Sequence, residues 1–350
     1  IAPGFIDLHD HFLGGGGGTG FASRVPQIQL SQFMRAGITT AVAGLGFDAT
    51  TKQLEALLGV AKGLEEEGMT TYIYCGATCT HPIVTFTGQI SRDMVLIDKV
   101  IGVGEVSLSE MGPSLESMGP GYEYIARLAA EVFQAGRMTG KAGVVCLQVP
   151  AVKRGLDPLF DILETTGLPP AVFIPAHANS RQWYFDQVMR FAKLGGWCDL
   201  TSSYTSQTSH PGSIKPSRAL VAALKADVPL DRITMSTDGG GGFPLHDKTT
   251  GKAKGTHYLS VGTMHTELRD MVLRERIPLS EALQVITSNP ARALKLSGRK
   301  GALAEGLDAD LVIMDKDLNI DAVYARGRQM VKGGKPVVKG MWEDLLSREV

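Results

Sequence analysis

Short apolar runs alternate with longer helix-like segments along most of this 350-residue chain. Eight of the runs have the length and composition of buried strands. They cover the ranges 5–9, 39–45, 70–76, 100–106, 143–148, 171–176, 197–202 and 232–236. The helical patterns between them are clearest at 51–67, 122–135, 157–165, 182–194 and 215–226. Strands that alternate with helices in this order predict right-handed βαβ units and a parallel sheet.

Two histidines stand at the end of the first run, in the segment PGFIDLHDH at positions 3–11. His9 and His11 are two residues apart, and alternate residues of a strand point to the same side. An imidazole pair that ends a buried strand is costly unless a ligand satisfies it. The spacing therefore indicates the start of a metal site.

Three more polar residues follow predicted strands, namely Glu105, His177 and Asp238. They come after the fourth, sixth and eighth strands, whereas the histidine pair belongs to the first. A doubly wound open sheet fits the strand and helix pattern equally well. Only a closed barrel brings these four strand ends to one centre. We therefore expect an α/β fold of the (β/α)8 TIM-barrel type, with the site at the carboxyl ends of its strands.

The overall charge and cysteine usage exclude several kinds of partner. The formal net charge is −1, with 43% hydrophobic and 20% charged residues, so neither nucleic acid nor an anionic membrane meets a basic surface. No apolar run spans a bilayer, and the sequence does not open with a signal-peptide pattern. The cysteines mostly lie in apolar runs and are expected to be free thiols of a cytoplasmic protein: Cys75, Cys79, Cys146 and Cys198.

The pattern P-G-F-I-D-x-H-x-H at positions 3–11 resembles the first barrel strand of the amidohydrolase superfamily, the metal-dependent TIM-barrel hydrolases. The resemblance implies one or two divalent ions, with Zn²⁺ first among them. It implies that Glu105 replaces the carboxylated lysine by which many members bridge two metals, since a carboxylate also offers two oxygens. His177 matches the sixth-strand histidine ligand. Asp238 matches the eighth-strand aspartate, which binds metal and transfers a proton.

The fifth strand departs from the family pattern. The family usually places a histidine there for the second metal, and this chain has Gln148. An amide oxygen is a poor ligand beside an imidazole. Two arrangements stay open: one ion held by His9, His11 and Asp238, or an asymmetric pair completed by Gln148 or water.

The pattern changes near residue 301, where short alternating strands separated by glycines begin. The segment GLDADLV at 306–312 resembles the return of amidohydrolases to a small β-sandwich. We therefore expect a barrel domain at 1–300 and part of a sandwich at 301–350. In the family, about half of the sandwich strands precede the barrel, so the sandwich is expected to be incomplete within this sequence. Helices are expected at 257–275 and 279–288, which makes His257 and His265 unsuitable as ligands.

Within the superfamily, the chain resembles the isoaspartyl dipeptidase family. The likeness rests on the glycine loop at 14–18, TSS at 201–203, DGGG at 238–241 and VYARG at 323–327. It implies hydrolysis of an amide C–N bond in a small or dipeptide-like substrate, and a homo-oligomer.

The substrate-binding positions of that family are changed here. Its glutamate for the substrate ammonium falls at Gly18 and Thr19, and its serine after the eighth strand falls at Gly242. Its arginine falls at Ser180, beside Arg181. Deamination or ring opening of a cyclic amide is therefore an alternative, as is a non-catalytic assembly subunit. The remaining candidates for substrate contact lie in the loop glycines and in loops on the catalytic face: Gly241, His81, His210 and His246.

Overall fold

A computed structural model describes residues 1–78, 83–109, 121–152, 154–204, 208, 212–247, 250 and 253–343. Its strands are β1 Ala2–Pro3, β2 Phe5–Asp10, β3 Ile38–Ala43, β4 Thr70–Cys75, β5 Val100–Ser107, β6 Val144–Gln148, β7 Phe173–Pro175, β8 Cys198–Thr201, β9 Ile233–Ser236, β10 Gly242–His246, β11 Ala253–Tyr258, β12 Leu311–Met314, β13 Ile320–Ala325, β14 Arg328–Lys332 and β15 Lys335–Pro336. Its helices are α1 Leu30–Arg35, α2 Leu54–Glu67, α3 Ile90–Leu96, α4 Tyr122–Thr139, α5 Asp157–Thr166, α6 Gln182–Lys193, α7 Pro216–Lys225, α8 Thr263–Leu273, α9 Leu279–Gln284 and α10 Ser288–Ala293.

The eight predicted barrel strands are confirmed as β2 to β9. Strands β2 to β7 form one parallel sheet in chain order, and β8 pairs in parallel with β9. A parallel bridge between Asp10 and Gly239 joins the last strand to the first. There the His11 amide donates to the Gly239 carbonyl at 2.8 Å. Between β7 and β8 the side chain of Asn179 makes the connection, with hydrogen bonds to both backbone groups of Thr201.

The strands are buried on both faces because helices cover the barrel from outside. Every residue of β3 and β5 is buried, as in most of the other barrel strands. Helix α2 shows the outer layer, since it buries Leu54, Leu57, Ala61 and Leu64 at spacings of three and four residues. Such a stripe lies on one face of a helix. A separate buried cluster draws on β2 to β7 and reaches α10, which is the layered filling of a barrel interior.

The short strands predicted after residue 301 are present as β12 to β15. They form an antiparallel sheet to which β1 adds a fifth strand, with Ala2 opposite Val312. Lys300, which is buried, fastens this sheet to the barrel. Its ammonium lies 2.5 Å from the Asp310 carboxylate and donates to the Thr70 hydroxyl at 2.8 Å. Within the described residues, no helix has both the length and the apolar character needed to cross a bilayer.

The helix predicted at 257–275 was wrong in its first part. Strands β10 and β11 form an antiparallel hairpin in which Phe243 pairs with His257. Helix α8 begins only at Thr263. The residues Thr256, His257 and Tyr258 include β-branched and aromatic types that suit a pleated surface. The expectation that His257 lies on a helix is therefore corrected, whereas His265 does lie on α8.

Two glycines let α4 pack directly against the segment that leads into β6. A Cβ atom added at Gly136 would lie 2.6 Å from Gly143 Cα, which is closer than any ordinary contact. We expect Gly136→Ala to lower the free energy of unfolding by about 1–3 kcal/mol through overpacking. Gly59→Ala is the matched control, because that exposed helical glycine has open space around it. It should raise stability by about 0.5–1 kcal/mol. Urea unfolding of both variants measures this, and equal effects would contradict it.

Candidate metal centre

Two histidines and one glutamate meet at the carboxyl ends of the barrel strands. The ligand atoms of His9, His11 and Glu105 all lie within 4.8 Å of one another, and all three residues are buried. His9 Nε2 is 2.9 Å from Glu105 Oε1, and His11 Nε2 is 3.9 Å from Glu105 Oε2. The imidazole pair of the first strand thus converges with the carboxylate of the fourth, as its position in the sequence predicts.

His177 and Asp238 complete the group. His177 Nε2 lies 3.5 Å from Glu105 Oε1, and Asp238 Oδ1 lies 3.0 Å from His11 Nε2. Both residues have left-handed backbone conformations, with φ of 57° and 55°. A histidine in this region is uncommon, and such positions are often found at functional sites. The turn follows directly after the strand in each case and brings the side chain over the barrel end.

Each of the three imidazoles uses its other nitrogen to contact the protein. His11 Nδ1 is 3.3 Å from the Gly44 carbonyl, His177 Nδ1 is 2.8 Å from Thr201 Oγ1, and His9 Nδ1 is 3.8 Å from Cys146 Sγ. The three Nε2 atoms are therefore the ones presented to Glu105. Outer contacts of this kind fix the tautomer and orientation of metal-binding histidines. Gly46 belongs to the same packing, since a Cβ there would lie 2.8 Å from the His11 ring.

Electrostatics at the centre are dominated by buried carboxyl groups. Burial alone would raise the pKa of Glu105, but the neighbouring imidazoles, His9 above all, hold it well below its ordinary value. Burial would lower the pKa of His9, but Glu105 and then Cys146 raise it well above its ordinary value. Burial raises the pKa of Asp7 to about 7, and burial also raises the pKa of Asp199. Of these three carboxyl groups Glu105 is the one held in its ionised form, and that buried negative charge favours a cation at the centre.

The residues present fit a divalent ion. His9 Nε2 is buried and has no hydrogen-bond partner, although Glu105 lies next to it, and Gln148 Oε1 is also buried without a partner. Imidazole nitrogens and carboxylate oxygens are the donor set that zinc takes in catalytic sites. The orphaned atoms are the ones that an ion would satisfy.

A cavity of 320 Å³ opens above this group. Glycines of the 14–18 loop and the β10–β11 hairpin form part of its wall. Six of the predicted site residues line it: His11, Glu105, Gln148, His177, Asp238 and Gly241. Arg181 precedes α6 and is not among the lining residues. His81 and His210 lie outside the described residues, as does the side chain of His246.

Sequence reasoning missed a second layer of polar residues. Asp7 accepts hydrogen bonds from the backbone N–H groups of His9 and Thr237, at 3.2 and 3.1 Å. Asp10 accepts one from the Thr237 hydroxyl at 3.0 Å. The two aspartates flank His9 in the sequence, so acidic residues inside an otherwise buried strand were the available signal. Cys146 carried no such signal, because it resembles an ordinary core residue. Thr201 belongs to the TSS segment at 201–203 that supports the family likeness, but the sequence assigned it no role.

Comparison with known proteins gives the family. The Amidohydrolase family model matches residues 192–340. A β-aspartyl dipeptidase structure from Fervidobacterium islandicum AW-1, in complex with β-Asp-Leu, is 39% identical. The match to this dipeptidase has a TM-score of 0.86 and covers 96% of the present chain and 86% of the dipeptidase chain. The chain belongs to the amidohydrolase family. A second structure of the same dipeptidase is 38% identical and matches with a TM-score of 0.83.

More distant amidohydrolases share the fold alone. A D-hydantoinase from Thermus sp. is 17% identical, with a TM-score of 0.67 over 97% of this chain and 86% of the hydantoinase chain.

Among curated proteins, N-acetylglucosamine-6-phosphate deacetylase of Bos taurus is 35% identical over 83 residues. That match spans 23% of this chain and a fifth, 20%, of the deacetylase. Family membership and the dipeptidase likeness together support a metal-dependent amide hydrolase.

Removing either histidine of the first strand should abolish metal binding. We expect His9→Ala and His11→Ala to lose bound ion and activity while the fold is largely kept, because both side chains lie at the strand ends, above the packed barrel layers. Metal content by mass spectrometry and circular dichroism measure the two effects. His265→Ala is the control, since His265 lies on α8 and contacts the Leu318 carbonyl, away from the centre. If His9→Ala and His11→Ala were both insoluble while His265→Ala stayed soluble, the prediction would be wrong, and the two histidines would have a structural role instead.

Proposed function

We propose that this chain hydrolyses a C–N amide bond of a small molecule. In this proposal, one or two divalent ions, zinc first among them, are held by His9, His11, Glu105, His177 and Asp238. The observation that carries it is the convergence of imidazoles from β2 and the β7 end on one buried carboxylate of β5. A buried carboxylate surrounded by imidazole nitrogens favours a cation at that point.

Asp238 is the proposed proton carrier. When bound, a divalent ion polarises a carbonyl and makes a water more acidic. Asp238 lies on the cavity wall, so it takes the proton of the attacking water and delivers it to the departing amine. His11 Nε2 lies 3.0 Å from its carboxylate, so both groups would hold the same ion. The Asp238 amide donates to the His9 carbonyl at 3.0 Å, which fixes its backbone above the barrel.

We propose that the centre holds one ion tightly and a second one weakly. His9, His11 and Glu105 form the compact group, in which every ligand atom lies within 4.8 Å of the others. The second position has His177, the shared carboxylate of Glu105 and the amide oxygen of Gln148. A neutral amide binds a divalent ion less strongly than an imidazole does.

The substrate is proposed to be a small amide with few charged groups. Among the described residues that line the cavity there is no lysine or arginine. Gly18 and Gly242 both line it and offer no side chain where isoaspartyl dipeptidases have charged and hydroxyl groups. Ring opening of a cyclic amide is the second candidate, because such a substrate carries no ammonium or carboxylate group to be paired.

β-Asp-Leu should be a poor substrate. A charged group of a substrate left without a partner costs several kcal/mol, enough to reduce kcat/KM by orders of magnitude. A side chain at Gly18 meets open space, so Gly18→Glu should raise kcat/KM for this dipeptide about 10- to 100-fold by pairing the ammonium. Gly18→Gln is the control without charge. Efficient hydrolysis by the unchanged protein, or equal gains in both variants, would contradict the prediction.

Glu105 should make the centre independent of carbon dioxide, because no lysine carbamate has to form. Apo-protein reconstituted with Zn²⁺ should recover equal activity and metal content with and without bicarbonate. Glu105→Gln should bind less metal, since a neutral amide does not offset the charge of the cation. A requirement for bicarbonate would mean that a lysine bridges the ions. Unchanged metal content in Glu105→Gln would remove this residue from the centre.

A further inference from the structure

The side chain of Asn179 joins two barrel strands that lack a backbone ladder in the described structure. Strand β7 is three residues long, ends at a proline and pairs only with β6. Asn179 is 0% exposed. Its Oδ1 accepts from the Thr201 amide at 2.8 Å, and its Nδ2 donates to the Thr201 carbonyl at 3.2 Å. The same Nδ2 also donates to the Ile214 carbonyl at 2.9 Å. The carboxamide of Asn179 thus makes the two hydrogen bonds to Thr201 that a backbone peptide group of a neighbouring strand would otherwise make.

The residue held in this way is the one that contacts His177. Thr201 is the last residue of β8, and its Oγ1 lies 2.8 Å from His177 Nδ1. A threonine has a stiff χ1, so a fixed backbone also fixes its hydroxyl. For His177 Nε2 to offer a lone pair, Nδ1 must carry the proton and donate to Thr201 Oγ1. The ring of Tyr204 stacks on the imidazole, with centroids 5.8 Å apart.

We infer that Asn179 and Thr201 are positioning residues for the metal centre: Asn179 fixes the backbone of Thr201, and the Thr201 hydroxyl aims His177 Nε2 at Glu105. The left-handed backbone of His177 brings its ring over the barrel, but leaves its rotation to side-chain contacts. The hydroxyl holds one ring edge and Tyr204 holds one face. This inference rests on the proposed metal centre and adds to it the residues that set the geometry of its weaker half.

The test measures metal affinity in full-length variants. Thr201→Val keeps the shape of the side chain and removes the acceptor, whereas Thr201→Ser keeps the hydroxyl. Loss of an outer hydrogen bond to a ligand histidine typically reduces metal affinity about 10- to 100-fold. We expect this loss for the Zn²⁺ bound through His177 in Thr201→Val, and a changed visible spectrum with Co²⁺. Thr201→Ser should restore most of the affinity and the spectrum.

Thr39→Val is the matched control. Thr39 is also a buried strand threonine, but its hydroxyl has no hydrogen-bond partner and lies near Gly4, at the start of the barrel strands. Its metal affinity and Co²⁺ spectrum should equal those of the unchanged protein. Thermal unfolding of all variants separates a general loss of stability from a loss confined to the centre.

Asn179→Asp tests the second step. The carboxylate keeps the size of the side chain but cannot donate to the Thr201 and Ile214 carbonyls. It should weaken Zn²⁺ binding in the natural background and have little further effect in the Thr201→Val background, because both changes act through one hydroxyl. Additive losses would show that Asn179 does not act through Thr201, and would overturn that step.

The outcomes separate this inference from the proposed function. If the unchanged protein takes up no ion, the metal centre itself is wrong. If it binds ions and Thr201→Val binds them equally with the same Co²⁺ spectrum, the centre stands and the positioning role fails. A lower melting temperature in Thr201→Val with unchanged affinity would likewise leave Thr201 with a structural role alone.

Discussion

A carboxylate buried among imidazoles is the interaction on which the rest of this structure depends. Glu105 is 7% exposed and lies within 4 Å of three histidine nitrogens. A charge in such a place is stable only if positive charge accompanies it, as protons on the imidazoles or as a bound cation. Supplying that charge requires residues that are far apart in the sequence, from the first, fourth and sixth strands. A closed barrel is the arrangement that lets short strands deliver them to one point.

Backbone pairing in the barrel is sparsest beside the strands that carry the proposed ligands. The described ladder is interrupted between β7 and β8, and between β9 and β2 it is reduced to the bridge of Asp10 with Gly239. Polar side chains add hydrogen bonds at both places: Asn179 at the first, and Asp7 and Asp10 with Thr237 at the second. Each of these side chains makes at least one hydrogen bond, which offsets part of the cost of burying it. The same hydrogen bonds therefore help to close the fold and lie next to the residues proposed as ligands.

The sequence was sufficient for the strands, because each barrel strand is a short apolar run bounded by polar residues or glycine. It was also sufficient to predict that five polar side chains converge, since each of them follows or ends such a run: His9, His11, Glu105, His177 and Asp238. The hairpin β10–β11 could not be foreseen from periodicity, because its strands flank glycines and carry no buried alternating face. The positioning role proposed for Asn179 and Thr201 could not be predicted for a different reason. It depends on the interrupted pairing between β7 and β8, which is visible only once the strands are assembled.

The β10–β11 hairpin contributes to the cavity wall but not to the candidate metal centre. It lies between Asp238 and α8, and within the described residues its two strands pair with each other alone. Gly242, Pro244 and Thr256 from this hairpin line the cavity, yet none of the metal-centre residues belongs to it. A change in the length or composition of the hairpin therefore alters the cavity wall and leaves the barrel ladder intact. The shape of the cavity and the set of groups that would hold the ion can thus be altered independently of each other.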